Sequence, residues 1–374
     1  MRHSPDATFL VEGRVMNMIL PTALALVLSA TAFVPGAAAQ DLPLSVAPKT
    51  LQQFAVPHER VDIGGGRKLN LFCIGSGAQT VLFDSGGSDW SVIWGLVQPE
   101  VAKHARACSY DRAGLGYSDP AAGPRSPVAV VDDLKALIGA AKLKTPLILV
   151  GHSLGGFNMK LYAALHPGDV AGIVLIDPSE DRVAERVRSR LRQRFGDTIA
   201  AQVELGDADW MRRLIAHYQD CATQAQTSEL DPASTTYKRC SDPVRQPLGS
   251  AVAAERARIQ VTAAYQSAQA SEIANSVYAD DRGDAVYRAL FTPGRFGARP
   301  MIVLTHGDYD PADKVDAASY QSYLWLHAET AGLSRRGRQR TVPETSHNIE
   351  IDDPGAVVRA IVEVIEEIAR RPAR

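Results

Sequence analysis

Residues 146–156 read Pro-Leu-Ile-Leu-Val-Gly-His-Ser-Leu-Gly-Gly, an apolar strand pattern that runs into a serine between glycines. A helical pattern follows at once over residues 157–165. A Gly-x-Ser-x-Gly turn between a strand and a helix needs small residues, because a Cβ there would crowd the neighbouring elements. The turn therefore predicts that the Ser153 hydroxyl stands clear of a sheet, at a helix N-terminus whose N–H groups can stabilise an anion.

The composition allows a large core and gives no electrostatic reason to expect a nucleic-acid partner. The chain has 374 residues, a net charge of -2 and 45% hydrophobic residues, which allows one large core with or without an inserted subdomain. Since there is no excess of basic residues, nothing favours a nucleic-acid partner.

The N-terminal residues 1–39 predict a secretory signal peptide. Positive charges precede an apolar stretch over residues 18–34, and three alanines at 37–39 give a small-x-small cleavage pattern. An uncleaved membrane anchor is the alternative, but the stretch is short for a span, which needs about 20 residues. We expect an exported protein, periplasmic or extracellular, with no stable membrane span after cleavage.

Strand and helix patterns alternate through most of the remaining chain. This alternation predicts an α/β fold with a mostly parallel sheet, helices on both faces and ligand sites at the carboxyl ends of the strands. Residues 181–295 lack strand alternation and show charged helical periodicity, so we interpret them as a helical cap inserted between a first core part, 40–180, and a second, 296–374. The predicted strands cover residues 59–63, 68–73, 80–83, 107–110, 146–150, 171–176, 300–305 and 339–343.

A serine nucleophile needs a base, and His347 is the best candidate. It follows the last predicted strand, so it lies in a loop at the same sheet edge as Ser153. His152 would face away if Ser153 faces the site, and His306 precedes a turn glycine, which suggests a structural role. The remaining alternatives, His166 and His327, lie on helical patterns.

The base in turn needs a carboxylate, and here three aspartates compete. We favour Asp310, just past the penultimate predicted strand, over Asp177, which ends the strand after the serine, and over Asp308 in the same turn as Asp310. Each of them could instead be a turn or helix-cap residue, the usual role of aspartate beside proline.

The tetrahedral intermediate of acyl transfer carries an oxyanion, which needs two N–H donors. We expect the backbone N–H of Leu154, directly after the serine, and that of Gly87, in the Gly86-Gly87 turn after an early strand. The cap, together with Trp90, Trp94 and Tyr117, is expected to shape the substrate pocket.

Four cysteines, an even number, fit the oxidising compartment that the signal peptide implies. A bridge between Cys221 and Cys240 would close a loop of about 20 residues and contribute roughly 3 kcal/mol. Cys73 and Cys108 lie in two strand patterns and pair only if those strands are neighbours. Four reduced thiols are the alternative. No cysteine has the spacing of a metal site.

Together these motifs resemble the α/β-hydrolase superfamily. The resemblance rests on the serine turn, the Gly86-Gly87 turn, Asp-Arg-Ala-Gly-Leu-Gly at 111–116 and Ser-His-Asn at 346–348, and it covers residues 59–180 and 296–370. It implies an eight-stranded, mostly parallel sheet with a helical cap inserted. It also implies that the second and fourth strands are neighbours, so that Cys73 can pair with Cys108.

The expected function is that of a secreted serine hydrolase that cleaves a carboxylic ester through an acyl-enzyme on Ser153, with His347 and Asp310 completing the triad. The expected partner is a small apolar ester, with no cofactor and no metal. A peptidase, thioesterase, lactonase, C–C hydrolase or acyltransferase uses the same residues and stays open, as does a non-catalytic ligand-binding protein, although no triad member is missing. The oligomeric state is open.

Overall fold

A computed structural model describes residues 46–228, 230–279 and 281–370. The predicted signal peptide lies outside these residues. Among the helices in the described ranges, none combines the length and the apolar character that a membrane span requires.

The core is one eight-stranded sheet in the order β1-β2-β4-β3-β5-β6-β7-β8. β2 runs antiparallel to both of its neighbours, and all other pairs are parallel. This confirms the predicted α/β-hydrolase fold with a mostly parallel eight-stranded sheet. The strands are β1 (Glu59–Asp62), β2 (Lys68–Ile74), β3 (Thr80–Asp84), β4 (Arg106–Tyr110), β5 (Leu147–His152), β6 (Val170–Ile176), β7 (Pro300–His306) and β8 (Arg336–Val342).

Both faces of the sheet are covered, because its inner strands are apolar on both sides. Along β3, Leu82 packs into one apolar cluster while its neighbours Val81 and Phe83 pack into the other. Successive side chains of a strand point to opposite faces, so the continuous apolar runs of the sequence serve two helical layers at once.

Twelve α-helices accompany the sheet in the described residues. Five of them, α5 to α9, lie between β6 and β7, in the segment interpreted as a cap from the sequence, and we keep that name for it. Its longest helix has a break at Gly196, where φ is 83°. Cap and sheet belong to one compact unit, Leu44–Arg374. The helices are α1 (Pro48–Gln52), α2 (Gln98–Val101), α3 (Pro127–Ala140), α4 (Ser153–Leu165), α5 (Val183–Thr227), α6 (Thr235–Cys240), α7 (Gly249–Gln260), α8 (Ala263–Ala274), α9 (Asp284–Leu290), α10 (Lys314–Ala331), α11 (Ile349–Asp352) and α12 (Pro354–Ala369).

Both disulfides are present. Cys73 of β2 stands directly opposite Cys108 of β4 in the antiparallel register and is bonded to it. Cys221 of α5 is bonded to Cys240 at the end of α6. The pairing implied by the strand order and the pairing suggested by sequence proximity are therefore both confirmed.

Candidate active site

Ser153 occupies a strained turn between β5 and α4. Its φ is 51°, in the left-handed region that residues other than glycine rarely adopt. A Cβ at Gly151 would lie 2.4 Å from the carbonyl oxygen of Gly155, and a Cβ at Gly155 would lie 2.3 Å from that of Asp84. The two glycines thus let the helix begin close against β3 and β5, with the serine at the apex of the turn.

His347 lies beside this turn and is bonded to a buried carboxylate. The Nδ1 of His347 is 2.5 Å from Oδ2 of Asp177. The backbone carbonyl oxygen of His347 is 2.9 Å from Nε2 of His152, the residue before the serine. Asp177 directly follows β6 and has a φ of 42°. Each of the adjacent strands β5 and β6 is therefore followed directly by a residue with left-handed backbone, Ser153 after β5 and Asp177 after β6. His347 reaches Asp177 from the loop after β8.

The structure brings Asp177 to His347 and does not bring Asp310, the favoured candidate, to it. Asp310 is exposed and stays within its own turn, where its Oδ1 accepts the N–H of Ala312 and its N–H donates to Asp316. Asp308 is exposed too and donates its N–H to the carbonyl oxygen of Thr345. The carboxylate in contact with His347 is Asp177, the alternative candidate, in the loop directly after β6.

Asp177 is held by a second histidine. The backbone N–H of His306 donates to its Oδ1 at 3.1 Å, and the ring Nδ1 of His306 lies 2.8 Å from its Oδ2. Burial alone would raise the pKa of Asp177, but the bonds from His306 and His347 outweigh it and hold this pKa well below its usual range. Asp177 is therefore a carboxylate at any working pH, fixed from two sides.

The ring of His152 is hydrogen-bonded to the backbone of the loop that carries His347. Its Nε2 faces a carbonyl oxygen, which only accepts, so this nitrogen carries the proton. Burial, with the nearby His347, lowers the pKa of His152 to about 3, so the ring is neutral. Its other nitrogen lies 3.3 Å from Oε1 of the fully buried Glu350, whose pKa burial raises to about 8.

The Gly86-Gly87 turn lies against the serine turn. A Cβ at Gly86 would lie 3.4 Å from the Cβ of Ser153, and a Cβ at Gly87 would lie 2.8 Å from Cδ1 of Leu154. The close approach explains why both positions are glycine. It also places the peptide groups of this turn next to the nucleophile candidate, where oxyanion donors are expected.

The two tryptophans expected to shape the substrate pocket belong to the apolar core. Trp90 and Trp94 are fully buried. Trp94 donates from its indole Nε1 to the Ser85 hydroxyl at 3.1 Å. This bond connects the core to the turn after β3. Tyr117 is half-buried.

One group in the described residues has the donor set of a metal site: Asp177, His306 and His347, with ligand atoms within 4.8 Å of one another. Both histidines already use the same ring nitrogen, Nδ1, on the carboxylate. The geometry is that of a hydrogen-bonded network around one anion.

Comparisons with known proteins agree with this architecture. A 2-hydroxymuconate semialdehyde hydrolase of Pseudomonas sp. (strain CF600) is 32% identical over 118 residues, which is 30% of this chain and 41% of that protein. Curated relatives are covered only in part, from 15% to 42% of their length.

Among solved structures, a meta-cleavage product hydrolase from Pseudomonas fluorescens IP01 matches with a TM-score of 0.52 and 17% identity, over 83% of this chain and 98% of that one. A thermophilic esterase from Thermogutta terrifontis matches with a TM-score of 0.50 and 18% identity, over 84% and 99%. The family model of the alpha/beta hydrolase fold matches residues 79–352. The chain belongs to the alpha/beta hydrolase fold family.

Proposed function

We propose that this protein is an exported serine hydrolase that cleaves a carboxylic ester through an acyl-enzyme on Ser153, with His347 and Asp177 as its partners. The observation that carries the proposal is the 2.5 Å bond between His347 and the buried Asp177 beside a strained serine turn. A left-handed residue at a site is maintained by the surrounding structure and is typical of functional positions.

In the proposed mechanism, His347 is the general base. Asp177 accepts the Nδ1–H, which leaves the lone pair on Nε2 to take the proton of Ser153 as the hydroxyl attacks the ester carbonyl. The imidazolium then protonates the leaving alcohol, and the buried carboxylate stabilises this charged ring. A water molecule, deprotonated by the same nitrogen, releases the acid and restores the serine.

The backbone N–H groups of Leu154 and Gly87 are proposed as the oxyanion donors. Leu154 is the first residue after the serine and lies at the N-terminus of α4, where N–H groups have no partner inside the helix. The contact between Gly87 and Leu154 supports a common position for the two donors.

The surroundings of the serine support an apolar substrate. Leu154 shares an apolar cluster with Met211 of α5, Ile273 of α8 and Val277, and Trp210 packs against the same cluster. An acyl chain held by these cap side chains would be removed from water, which contributes about 25 cal/mol per Å² of buried apolar surface.

The two disulfides support the proposal that the protein is exported. Such bonds persist in oxidising compartments and are rare in the cytosol of mesophiles. Both pairs are formed in the structure.

Replacement of the nucleophile tests the proposed reaction. Ser153→Ala should lower kcat on p-nitrophenyl butyrate by about 10⁶-fold, to near the background rate, because the acyl-enzyme can no longer form on the Ser153 hydroxyl. The same variant should lose labelling by a fluorophosphonate, measured by intact-protein mass spectrometry. Retained labelling would remove Ser153 as the nucleophile.

Ester specificity is tested on the unsubstituted protein with matched substrates of one acyl group. Rates on the ester, thioester, amide and lactone, and transfer to an added alcohol, separate the esterase from the other serine-dependent reactions. A kcat/KM on the amide or lactone that exceeds that on the ester would overturn the ester assignment.

A further inference from the structure

The turn that follows β3 is bonded on both sides by the cap. Ser88 in this turn has a φ of 65°. Its backbone N–H donates to Oε1 of Glu272 at 3.1 Å, and its carbonyl oxygen accepts the hydroxyl of Tyr265 at 2.9 Å. Both of these side chains belong to α8 and are buried. A left-handed serine persists only where its surroundings hold it, and here α8 provides the bonds.

Arg112 connects the same glutamate to the preceding peptide groups. Its guanidinium donates to the carbonyl oxygens of Ser85 at 2.6 Å and Gly86 at 2.7 Å, and to Glu272 at 2.8 and 2.7 Å. A peptide unit is planar and trans, so a carbonyl that points at Arg112 makes the next N–H point the opposite way. These bonds fix the directions of the Gly86 and Gly87 N–H groups.

Glu272 is the anion that keeps this arrangement in place. It lies between two buried arginines, since Arg125 also donates to it at 2.5 Å. Burial would raise the pKa of Glu272, but Arg112 and Arg125 outweigh it and lower this pKa to about 2. The group is therefore ionised throughout the working range, and its loss would leave buried guanidinium groups short of a counterion.

We propose that two cap residues, Glu272 and Tyr265, position the turn after β3 that carries the proposed oxyanion donor. They act through Ser88 and Arg112, so that the cap contributes to stabilising the tetrahedral intermediate. The inference rests on the proposed function. Neither side chain touches the reacting atoms, so both are positioning residues. A cap that only covered the substrate would not need a buried, charged connection to the turn beside the nucleophile.

Glu272→Gln tests the proposal through a separation of kcat from KM. Because a misdirected donor weakens binding of the transition state alone, kcat should fall by about 10²- to 10³-fold, with KM within about threefold of the unsubstituted value. Affinity for a trifluoromethyl ketone, whose serine adduct carries the oxyanion, should fall by the same factor. Affinity for an ether analogue that lacks the carbonyl should not change.

Glu204→Gln is the matched control. Glu204 is a cap residue on α5 that pairs with Arg188 at the surface, so its replacement makes the same chemical change away from the turn. Its kcat and its affinity for the ketone should equal those of the unsubstituted protein.

Tyr265→Phe provides a second, milder variant and carries the test if circular dichroism shows that Glu272→Gln does not fold. It removes the bond to the Ser88 carbonyl together with the weaker one that Gln260 donates to the same hydroxyl at 3.3 Å, and it leaves the charged groups in place. We therefore expect a fall in kcat of about fivefold. Full kcat in a folded variant, or an equal loss of affinity for the ketone and the ether, overturns the proposal. An unsubstituted protein that neither turns over esters nor reacts with a fluorophosphonate overturns the proposed function as well, whereas an active one with fully active variants overturns this inference alone.

Discussion

At the residue scale, the site depends on which carboxylate reaches His347. Asp177 is buried, accepts from two histidines and lies directly after β6. Asp310 is exposed and bonds only to backbone groups of its own turn and to its neighbours there. A buried, doubly bonded carboxylate can orient an imidazole, whereas an exposed one is free to rotate and is solvated by water.

Asparagine at these two positions distinguishes the carboxylates. Asp177→Asn should lower kcat by about 10⁴-fold, because the amide no longer holds the Nδ1–H tautomer of His347. Asp310→Asn should leave kcat unchanged, since an amide oxygen still accepts the N–H of Ala312. The measurement is steady-state turnover of p-nitrophenyl butyrate with thermal melting as a check on folding. The opposite ranking would return the role to the loop after β7.

The sequence could locate Ser153 and His347 but could not rank the aspartates. Asp177-Pro178 and Asp310-Pro311 are the same dipeptide, and each follows an apolar strand. What separates them is a contact across 170 positions of the chain, which depends on how the loops after β6, β7 and β8 close over the sheet edge. Local pattern carries no information about such distances.

At the element scale, the ends of β1 to β7 were predicted to within two residues, while the start of the edge strand β8 was missed by three. We expected the last strand to begin at residue 339, and it begins at Arg336. Every second residue in the first part of β8 is an arginine. These arginines pair with Glu363 and Glu367 of α12 and so cover an exposed strand. A strand stabilised by ion pairs at its edge lacks the apolar run that identifies inner strands.

The disulfide between Cys221 and Cys240 should stabilise the cap. Both cysteines are buried beside Ala225, Leu230 and Val261. Replacing both with serine should lower the free energy of unfolding by about 3 kcal/mol, because the unfolded cap gains the entropy of an open loop. Urea unfolding, followed by circular dichroism with and without reductant, measures this.

The unsubstituted protein is its own control for the same bridge. Reductant should bring its unfolding midpoint towards that of the C221S/C240S variant and should shift the variant less. Peptide mapping after alkylation without reduction should recover Cys221 and Cys240 as one linked pair. Alkylation of both thiols under these conditions would contradict the assignment.

At the scale of the whole molecule, buried ion pairs connect the sheet and its helices to the cap, in addition to the apolar contacts between them. Arg112 and Glu272 connect core and cap, and Lys160 of α4 pairs with Glu180 at 2.7 Å where the chain leaves β6 for the cap. Glu350 differs from these groups, because within the described residues neither of its buried carboxyl oxygens is paired with a cationic side chain or has a hydrogen-bond partner. The neutral ring of His152 lies 3.3 Å from its Oε1.

Glu350 should therefore make the whole protein less stable as the pH rises. Burial, with help from Asp89 and Asp352 and against Arg245, raises its pKa to about 8, from 4.5 in an unfolded chain. Between these values the folded state holds a proton that the unfolded state has released, so stability falls with increasing pH, by about 1.4 kcal/mol per unit. The contribution is complete below pH 4.5 and is lost as the pH passes 8.

Glu350→Gln keeps the shape of the neutral acid and removes its titration. Relative to the unsubstituted protein, the variant should gain stability steadily from pH 6.5 to pH 8, by about 2 kcal/mol in all. His152 has the opposite sign, because its pKa is lowered to about 3, but it is present in both proteins and cancels in the difference. Urea unfolding at several pH values measures the effect, and Glu366→Gln, at an exposed site of α12, is the control that should show none. A difference that stays constant with pH would mean that Glu350 is already ionised in the folded protein.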